Sequence, residues 1–531
     1  GDHLDLHSFP TRRSSDLQLA ASPNKDERIL ASQLLGISRR YGSYKILADL
    51  FNDEDQDVRS ASIYTMGKIA RPELWNLLID SIKYPMYRNT VVSSIIGIGP
   101  GIIPYLNSYF NKFNTPRNLK LMIIRIINNI GGAEAVNCLK GKLNYPEKEV
   151  RDEVIKSLSN LSYKASSLDE SIIKNLLDEE IEILIWIMAS ILDLEETYKG
   201  TMLLESLYDE LAQKRKQIFQ MLSMLYDSET IKYISDNIES ESSDARVLSL
   251  ELIDLFLSRE LKEKILILFE EISLSECIEN FRESFPQKKL KPDERLQEII
   301  NKDYTKISMW TKACAIYEIS LHYNQSIIGL FESNITNPNL LISEQAIFSL
   351  YKYDVDKYKN FVSFLSFDER KRIGTILTRL LGDKFNPITY FEMIKIIRNT
   401  KIFASVGQDS LIKHATRLTL IELENGEVMN CRSHICLYIL VSGGIAEAFG
   451  KNPFREHFNR NGFNEVLLSF GVRKINQHFT AITDSVLIEM PFETVYDLNL
   501  LSENGEIYRN IMEINYENYQ YYDIAYENKV F

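Results

Sequence analysis

Glycine and proline are scarce. The 531-residue chain holds 22 glycines and 14 prolines, about 4% and 3% against averages of about 7% and 5%. So few helix breakers argue for a helical chain and against a large all-β fold. Cysteine is scarcer still: Cys138, Cys277, Cys314, Cys431 and Cys436 are scattered without a CxxC pair. That excludes a disulfide framework and the common zinc spacings, and it fits a reducing compartment. No run reaches 18 apolar residues, and the best candidate, Ile183 to Leu192, is too short to cross a bilayer. Positive charge is in deficit, with 61 basic against 74 acidic residues and a net charge of −13. A chain of that sign is a poor ligand for the phosphate backbone of nucleic acid. No P-loop, nucleophile elbow, dinucleotide fingerprint or HExxH occurs.

Hydrophobic residues make up 45% of the chain and charged residues 25%, which excludes wholesale disorder. The length corresponds to three or four domains or to one long repeat array. Residues 1–17 stand apart. They have neither the apolar core of a signal peptide nor the helical face of a transit peptide. They resemble the in-frame translation of a short sequencing adapter at every position except Leu4, and they are set aside from fold reasoning. The expectation that follows is a C-terminal piece of a longer protein, with native sequence starting at or before Gln18.

From residue 18 to 385 the sequence repeats itself. Arg28 precedes Ala31 and Gly36; Arg59 precedes Ala61, Tyr64 and Gly67. Arg28 to Arg59 and Gly36 to Gly67 are both 31 residues apart, and Arg88, Arg117 and Arg151 continue the series. Each arginine follows a polar turn and opens an apolar stripe at helical spacing. Tyr44 to Phe51 and Glu134 to Leu143 supply second helices of such units. Paired helices recurring at this interval predict a helical solenoid, since one pair cannot bury its apolar face alone. The Val-Arg placement after an acidic turn resembles HEAT repeats. An arginine there can bond acidic or carbonyl groups of the adjoining turn. The register weakens after about 165 and returns near Ala245-Arg246, Trp310 to Ala315 and Ser343 to Leu350. The segment Asn301 to Tyr304 followed by Trp310 to Ala315 resembles a motif of bacterial HEAT proteins. Residues 283–296 predict a polar loop.

Near Asn386-Pro387 the pattern changes. Helices are expected over Tyr390–Thr400 and Gln408–Thr416. Strands are expected over Leu418–Leu423, Leu437–Ser442, Ile445–Phe449, Glu465–Phe470, His478–Ile482 and Val486–Met490, with a helical stretch from Phe492. Short strands between turn residues predict a small β-roll or jelly roll over 386–515, followed by a helical, tyrosine-rich tail at 516–531. The run Phe391 to Lys395 with Ile402-Phe403, the triplet Gly426-Glu427-Val428, Leu437 to Gly443, and Ala481 to Ser485 together resemble a cyclic nucleotide-binding domain.

That resemblance implies a phosphate-binding cassette. In the family an acid of a Gly-Glu pair accepts the ribose hydroxyl and an arginine pairs with the cyclic phosphate. Glu465 fits the acid, with Asn464 in place of the glycine. Ile475 stands where the arginine is expected, and Arg473 and Lys474 lie one or two residues away. An apolar residue there leaves a buried phosphate unpaired, which is costly. Two readings follow. One is a degenerate domain with no cofactor, kept for docking or structure. The other is a soluble sensor that binds cyclic AMP or cyclic GMP through Glu465 and a displaced Arg473 or Lys474. Cys431, His434 and Cys436 lie close together but show no fourth ligand, so no metal is expected.

The sequence therefore predicts a HEAT-like α-solenoid followed by a cyclic nucleotide-binding-like β-roll. It predicts a non-enzymatic scaffold or regulatory region in the cytoplasm. Its partner is a protein or an upstream domain of its own chain, with no nucleic acid, and with a membrane only through a missing N-terminal part. The domain order resembles the C-terminal part of bacterial fusions that begin with an ADP/ATP-carrier-type transporter. That resemblance implies a location at the cytoplasmic face of the inner membrane.

Overall fold

The computed structural model describes residues 18–510, except 39–42, 85–86, 239, 241, 323–326, 383–386, 401, 404–405, 407, 431–435, 450–451, 459–464, 470–476, 502–506 and 508. The adapter-like segment 1–17, the tail 516–531 and the boundary expected at 385/386 lie outside the described residues. The chain forms two compact units. One holds the residues up to Ala189 together with Leu211–Lys288, and the other holds Ser190–Glu210 together with Lys289 onwards.

The first unit is helical. It opens with α1 (Lys25–Ser38), α2 (Ser43–Phe51), α3 (Gln56–Ile69), α4 (Pro72–Ser81), α5 (Arg88–Ile98), α6 (Ile103–Phe110), α7 (Arg117–Ile130), α8 (Gly132–Lys140) and α9 (Lys148–Asn160). The odd helices pack in series, α1 on α3, α3 on α5, α5 on α7 and α7 on α9. The even helices α2, α4, α6 and α8 form a second series beside them. An inner helix therefore buries more than one face. In α7, Leu119, Leu121, Ile123, Ile124, Ile126 and Ile127 are all buried. No single helix among the described residues is long and apolar enough to cross a membrane. The segment Arg88–Ile98 with Pro100–Phe110 passes only as a pair bent by 106°, and its Val91, Ile95, Ile102, Ile103 and Leu106 are buried in the stack.

Two side-chain devices explain the repeat spacing. The repeated glycines mark close helix contacts. A Cβ on Gly67 would lie 2.5 Å from Ser94 Cβ and 2.8 Å from its Cα, so α3 meets α5 at that point; a Cβ on Gly36 would meet Thr65 Cγ2 at 2.9 Å. The arginines staple the turn before their helix. Arg28, Arg88 and Arg151 donate to the carbonyls of Ser22 (2.8 Å), Ile82 (2.9 Å) and Tyr145 (3.3 Å), each six residues upstream. Arg28 also forks onto Asp53 at 2.7 and 2.9 Å. That pairing holds the Asp53 carboxyl below its ordinary pKa. Arg117 instead reaches Glu147 and Glu149 at the start of α9, and Arg59 lies 5.3 Å over the Tyr87 ring. Both kinds of partner expected of these arginines, acidic and carbonyl, are present.

The register fades after residue 165 because two long helices follow, α10 (Ser167–Leu194) and α11 (Met202–Leu225). Short helices return with α12 (Ser228–Asn237), α13 (Ser243–Phe256), α14 (Arg259–Phe269) and α15 (Leu274–Asn280). Of the loop expected over 283–296, residues 286–291 have no regular structure, whereas 292–296 open a helix that starts at Pro292, because proline is tolerated in a first helical turn.

In the second unit the stacking resumes through α16 (Pro292–Asn301), α17 (Met309–Leu321), α18 (Ile328–Asn334), α19 (Leu340–Tyr353), α20 (Val355–Ser363) and α21 (Phe367–Leu381). Helix α17 packs on α16 and α19, and α19 on α18, α20 and α21. The Trp310 to Ala315 motif lies in α17, where Trp310, Ala313, Cys314 and Ala315 are buried core. Then come α22 (Tyr390–Arg398), α23 (Gln408–His414) and eight strands: β1 (Thr419–Leu423), β2 (Val428–Asn430), β3 (Cys436–Ser442), β4 (Gly444–Phe449), β5 (Asn452–Phe458), β6 (Glu465–Ser469), β7 (Gln477–Ala481) and β8 (Ser485–Pro491). They form two antiparallel sheets, ordered β1-β8-β3-β6 and β2-β7-β4-β5. Leu423, Cys436, Tyr438, Leu440, Ile445, Phe479, Ala481 and Leu487 make the core of this module. Helix α24 (Phe492–Leu501) packs on β8 and β3. The expected strands are present. Two more, β2 and β5, add to them. Strand β5 reads Asn-Pro-Phe-Arg-Glu-His-Phe and is hidden by polarity and by Pro453; it is an edge strand, where proline is tolerated.

Candidate functional site

The β module is where the sequence placed a ligand. Glu465 opens β6, and its backbone pairs with Leu440 of β3. Arg473, Lys474, Ile475 and Asn464 lie outside the described residues.

The residues that carry the family resemblance hold turns together. Gly443, at φ 87°, turns β3 into β4. A Cβ there would lie 2.3 Å from the Asp484 carbonyl oxygen, so only glycine fits. Ser485 Oγ accepts from Gly444 N–H and donates to the Gly444 carbonyl, at 3.0 Å in each case. Asp484 accepts from Asn425 N–H at 2.9 Å. Gly426 N–H donates to the Ala481 carbonyl, and Ala481 N–H to that of Glu427. Three turns are therefore clamped at one end of the roll.

At the other end the inner face is polar. Alternation along β4 puts Glu447 on the same face as core Ile445. Glu447 accepts from Gln477 Nε2 at 2.7 Å and lies 3.0 Å from His457 Nε2, and all three are buried. Across the core, Tyr438 donates its hydroxyl to buried Glu489 at 3.2 Å. Sequence reading missed this cluster, because its members lie 10 and 30 residues apart in no motif. The available signal was an acid within Ile-Ala-Glu-Ala-Phe, in phase with the core. Arg455 stands opposite Glu447 in register. The described inner-face side chains offer two carboxylates and an imidazole, already bonded within the roll.

A second buried cluster ties α19 to the start of the β module. Glu344 is fully buried. It accepts from Tyr390 N–H at 2.6 Å, at the first turn of α22, and from the Arg379 guanidinium. Burial pushes its carboxyl up to about 7, against the pull of Arg379. Arg379 also donates to the Ile388 carbonyl and stacks 4.4 Å over the Tyr390 ring. Beside it Phe391 stacks on Trp310 and Tyr317, with centroids 4.9 and 4.6 Å apart. In the first unit Lys214 bonds Glu180 and Gln217 in a buried network. Burial lowers the Lys214 pKa, and Glu180 counters it.

Two buried thiols, Cys277 and Cys314, are not poised as nucleophiles. Burial pushes Cys277 up to about 11 and Cys314 well above its ordinary value. Cys436 is buried in β3, whereas Cys431 and His434 lie outside the described residues. No metal-ligating group of three or more side chains occurs among the described residues.

No protein-family profile and no curated protein matches the chain. Solved structures show remote likenesses. A cAMP-bound PfPKA-R chain is 14% identical over 28% of this chain and 50% of its own, at a TM-score of 0.20. The CpcE–CpcF complex of phycocyanin lyase from Nostoc is 14% identical over 48% and 99%, at 0.20. Kap121p is 15% identical over 76% and 45%, at 0.24. At TM-scores this low the likenesses settle neither fold nor function.

Proposed function

We propose that this chain is a non-catalytic scaffold and regulatory region. Its HEAT-like solenoid presents a surface to a protein partner or to an upstream domain, and its β-roll is a cyclic nucleotide-binding-like module that no longer holds the nucleotide. The helical part of the reading rests on the two stacked series of helices and on arginines that reach six residues back. Strand order 1-8-3-6 facing 2-7-4-5 supports the jelly-roll part of it.

The observation that carries the loss of the nucleotide is the self-satisfied inner face. Glu447 and Glu489 bond His457, Gln477 and Tyr438, so a cyclic phosphate entering there meets carboxylates. A phosphate set against those carboxylates is expensive to bury unless a cation pairs with it. The non-catalytic reading is supported by the way buried ionisable groups bond one another and the backbone between helices, as Glu344 and Lys214 do. The cytoplasmic side of a carrier-type fusion is part of the same proposal, and it rests on domain order alone.

Thermal unfolding of the full chain tests this directly, because a ligand that binds the native state raises the melting temperature by mass action. The expected result is no shift with cyclic AMP or cyclic GMP. A rise that Glu465→Ala removes would replace the scaffold with a sensor.

A further inference from the structure

Residues 81–133 contain no aspartate or glutamate, although 74 of the 531 residues are acidic. The same stretch carries Lys83, Arg88, Lys112, Arg117, Lys120 and Arg125. In a chain of net charge −13, it is a basic island.

Within it two successive turns repeat each other. Lys83-Tyr84 follows α4 and precedes Arg88; Lys112-Phe113 follows α6 and precedes Arg117, 29 residues on in each case. Helix α4 packs on α6 and α5 on α7. Tyr109, at the end of α6, feels both Asp80 of α4 and Lys83 just beyond it, so the ends of the packed helices α4 and α6 lie side by side.

The arginines of the island are engaged: Arg88 with carbonyls of its own turn, Arg117 and Arg125 with glutamates of the next unit. Lys120 pairs with Glu147. The two turn lysines differ. Lys83 and Lys112 are exposed, and their ammonium groups lie over the Tyr84 ring (5.1 Å) and the Tyr109 ring (4.4 Å). Tyr84 is 48% exposed and Phe113 is 94% exposed.

An ordered turn holds that phenyl ring in water. Asn114 adopts φ 64°. Thr115 donates its hydroxyl to the Tyr109 and Lys112 carbonyls at 2.9 and 3.1 Å and its N–H to that of Lys112.

We propose that these two turns dock on an anionic lipid bilayer surface. Tyr84 and Phe113 enter the boundary between headgroups and acyl chains, while Lys83 and Lys112 stay at headgroup level. The pairing of apolar and basic side chains favours a bilayer over an acidic protein. Each exposed ring stands next to an exposed lysine on its turn, so the partner must offer an apolar layer beneath an anionic one, which a bilayer does everywhere. A protein would need two matched pockets, each rimmed by acid. This inference goes beyond the scaffold reading and does not depend on it.

Sedimentation of the full chain with lipid vesicles tests it. The chain is expected to bind phosphatidylcholine vesicles containing about 40% phosphatidylserine, since each lysine near such a surface adds on the order of fivefold to partitioning. Lys83→Ala with Lys112→Ala should therefore lower binding roughly thirtyfold, and Phe113→Ala should lower it roughly tenfold through lost apolar burial. Lys232→Ala, at an exposed lysine of α12, should leave it unchanged. All these side chains are exposed, so melting temperatures should match the wild type. Failure to bind anionic vesicles, equal binding to pure phosphatidylcholine, or binding untouched by the variants would overturn the proposal. So would binding of a soluble polyglutamate peptide without any vesicle binding.

Discussion

Glu344 shows how one residue couples charge to architecture. It is an acid inside an apolar helix, held by the N-terminus of α22 and by Arg379 on α21, with Glu392 of α22 adding repulsion. Its carboxyl sits near 7 in the fold, above its ordinary value of 4.5. A raised acid means that the folded state holds the proton more tightly than the unfolded chain does. The stabilisation is then complete below about 4.5 and is lost as pH rises through 7. The shift corresponds to at most about 3 kcal/mol. Melting followed from pH 5 to pH 8 should therefore fall for the wild type, and Glu344→Gln should flatten that fall. A variant with an unchanged slope would contradict the assignment. The sequence held a signal for this residue in Leu-Leu-Ile-Ser-Glu-Gln-Ala-Ile, where an acid interrupts an apolar run. Its two partners could not be read there, because they lie 35 and 46 residues away.

Between elements, contact distance decides what a glycine is worth. Gly67 of α3 lies against the backbone of α5, so even a methyl group at that position must push the two helices apart. Gly97 of α5 has nothing within 4 Å of the place its Cβ would occupy. Gly67→Ala should cost about 1–3 kcal/mol through overpacking. Gly97→Ala should be neutral or stabilise by up to about 1 kcal/mol through helix propensity. Denaturant unfolding of the two variants distinguishes them, and similar effects would contradict the packing account. The repeat was legible because its landmarks obey local geometry. An arginine at a helix start finds a carbonyl six residues back, and a glycine marks the point where the next helix crosses. The β strands were legible where apolar residues ran on, as in Leu437 to Val441. Strand β5 was not, since an edge strand needs little apolar sequence and its pairing with β4 is set by that neighbour.

At the scale of the molecule, the clamps and the polar interior separate two things that the family resemblance had joined. Gly426, Gly444, Asp484 and Ser485 bond turn to turn, and Gly443 lets two of those turns approach closely, so the residues that suggested nucleotide binding join the turns of the β module. The ligand site was less legible. Of the cassette residues, only the backbone of Glu465 falls among those described. The buried polar set of the roll comes from strands that are distant in sequence. Charge behaves in the same way, because a net value of −13 conceals an acid-free stretch from 81 to 133.

The central claim is that the roll has kept its architecture and lost its nucleotide. Calorimetric titration of the full chain with cyclic AMP and then cyclic GMP tests it most directly. The account predicts no saturable heat for either nucleotide. Saturable binding of either one, abolished by Glu465→Ala, would contradict it.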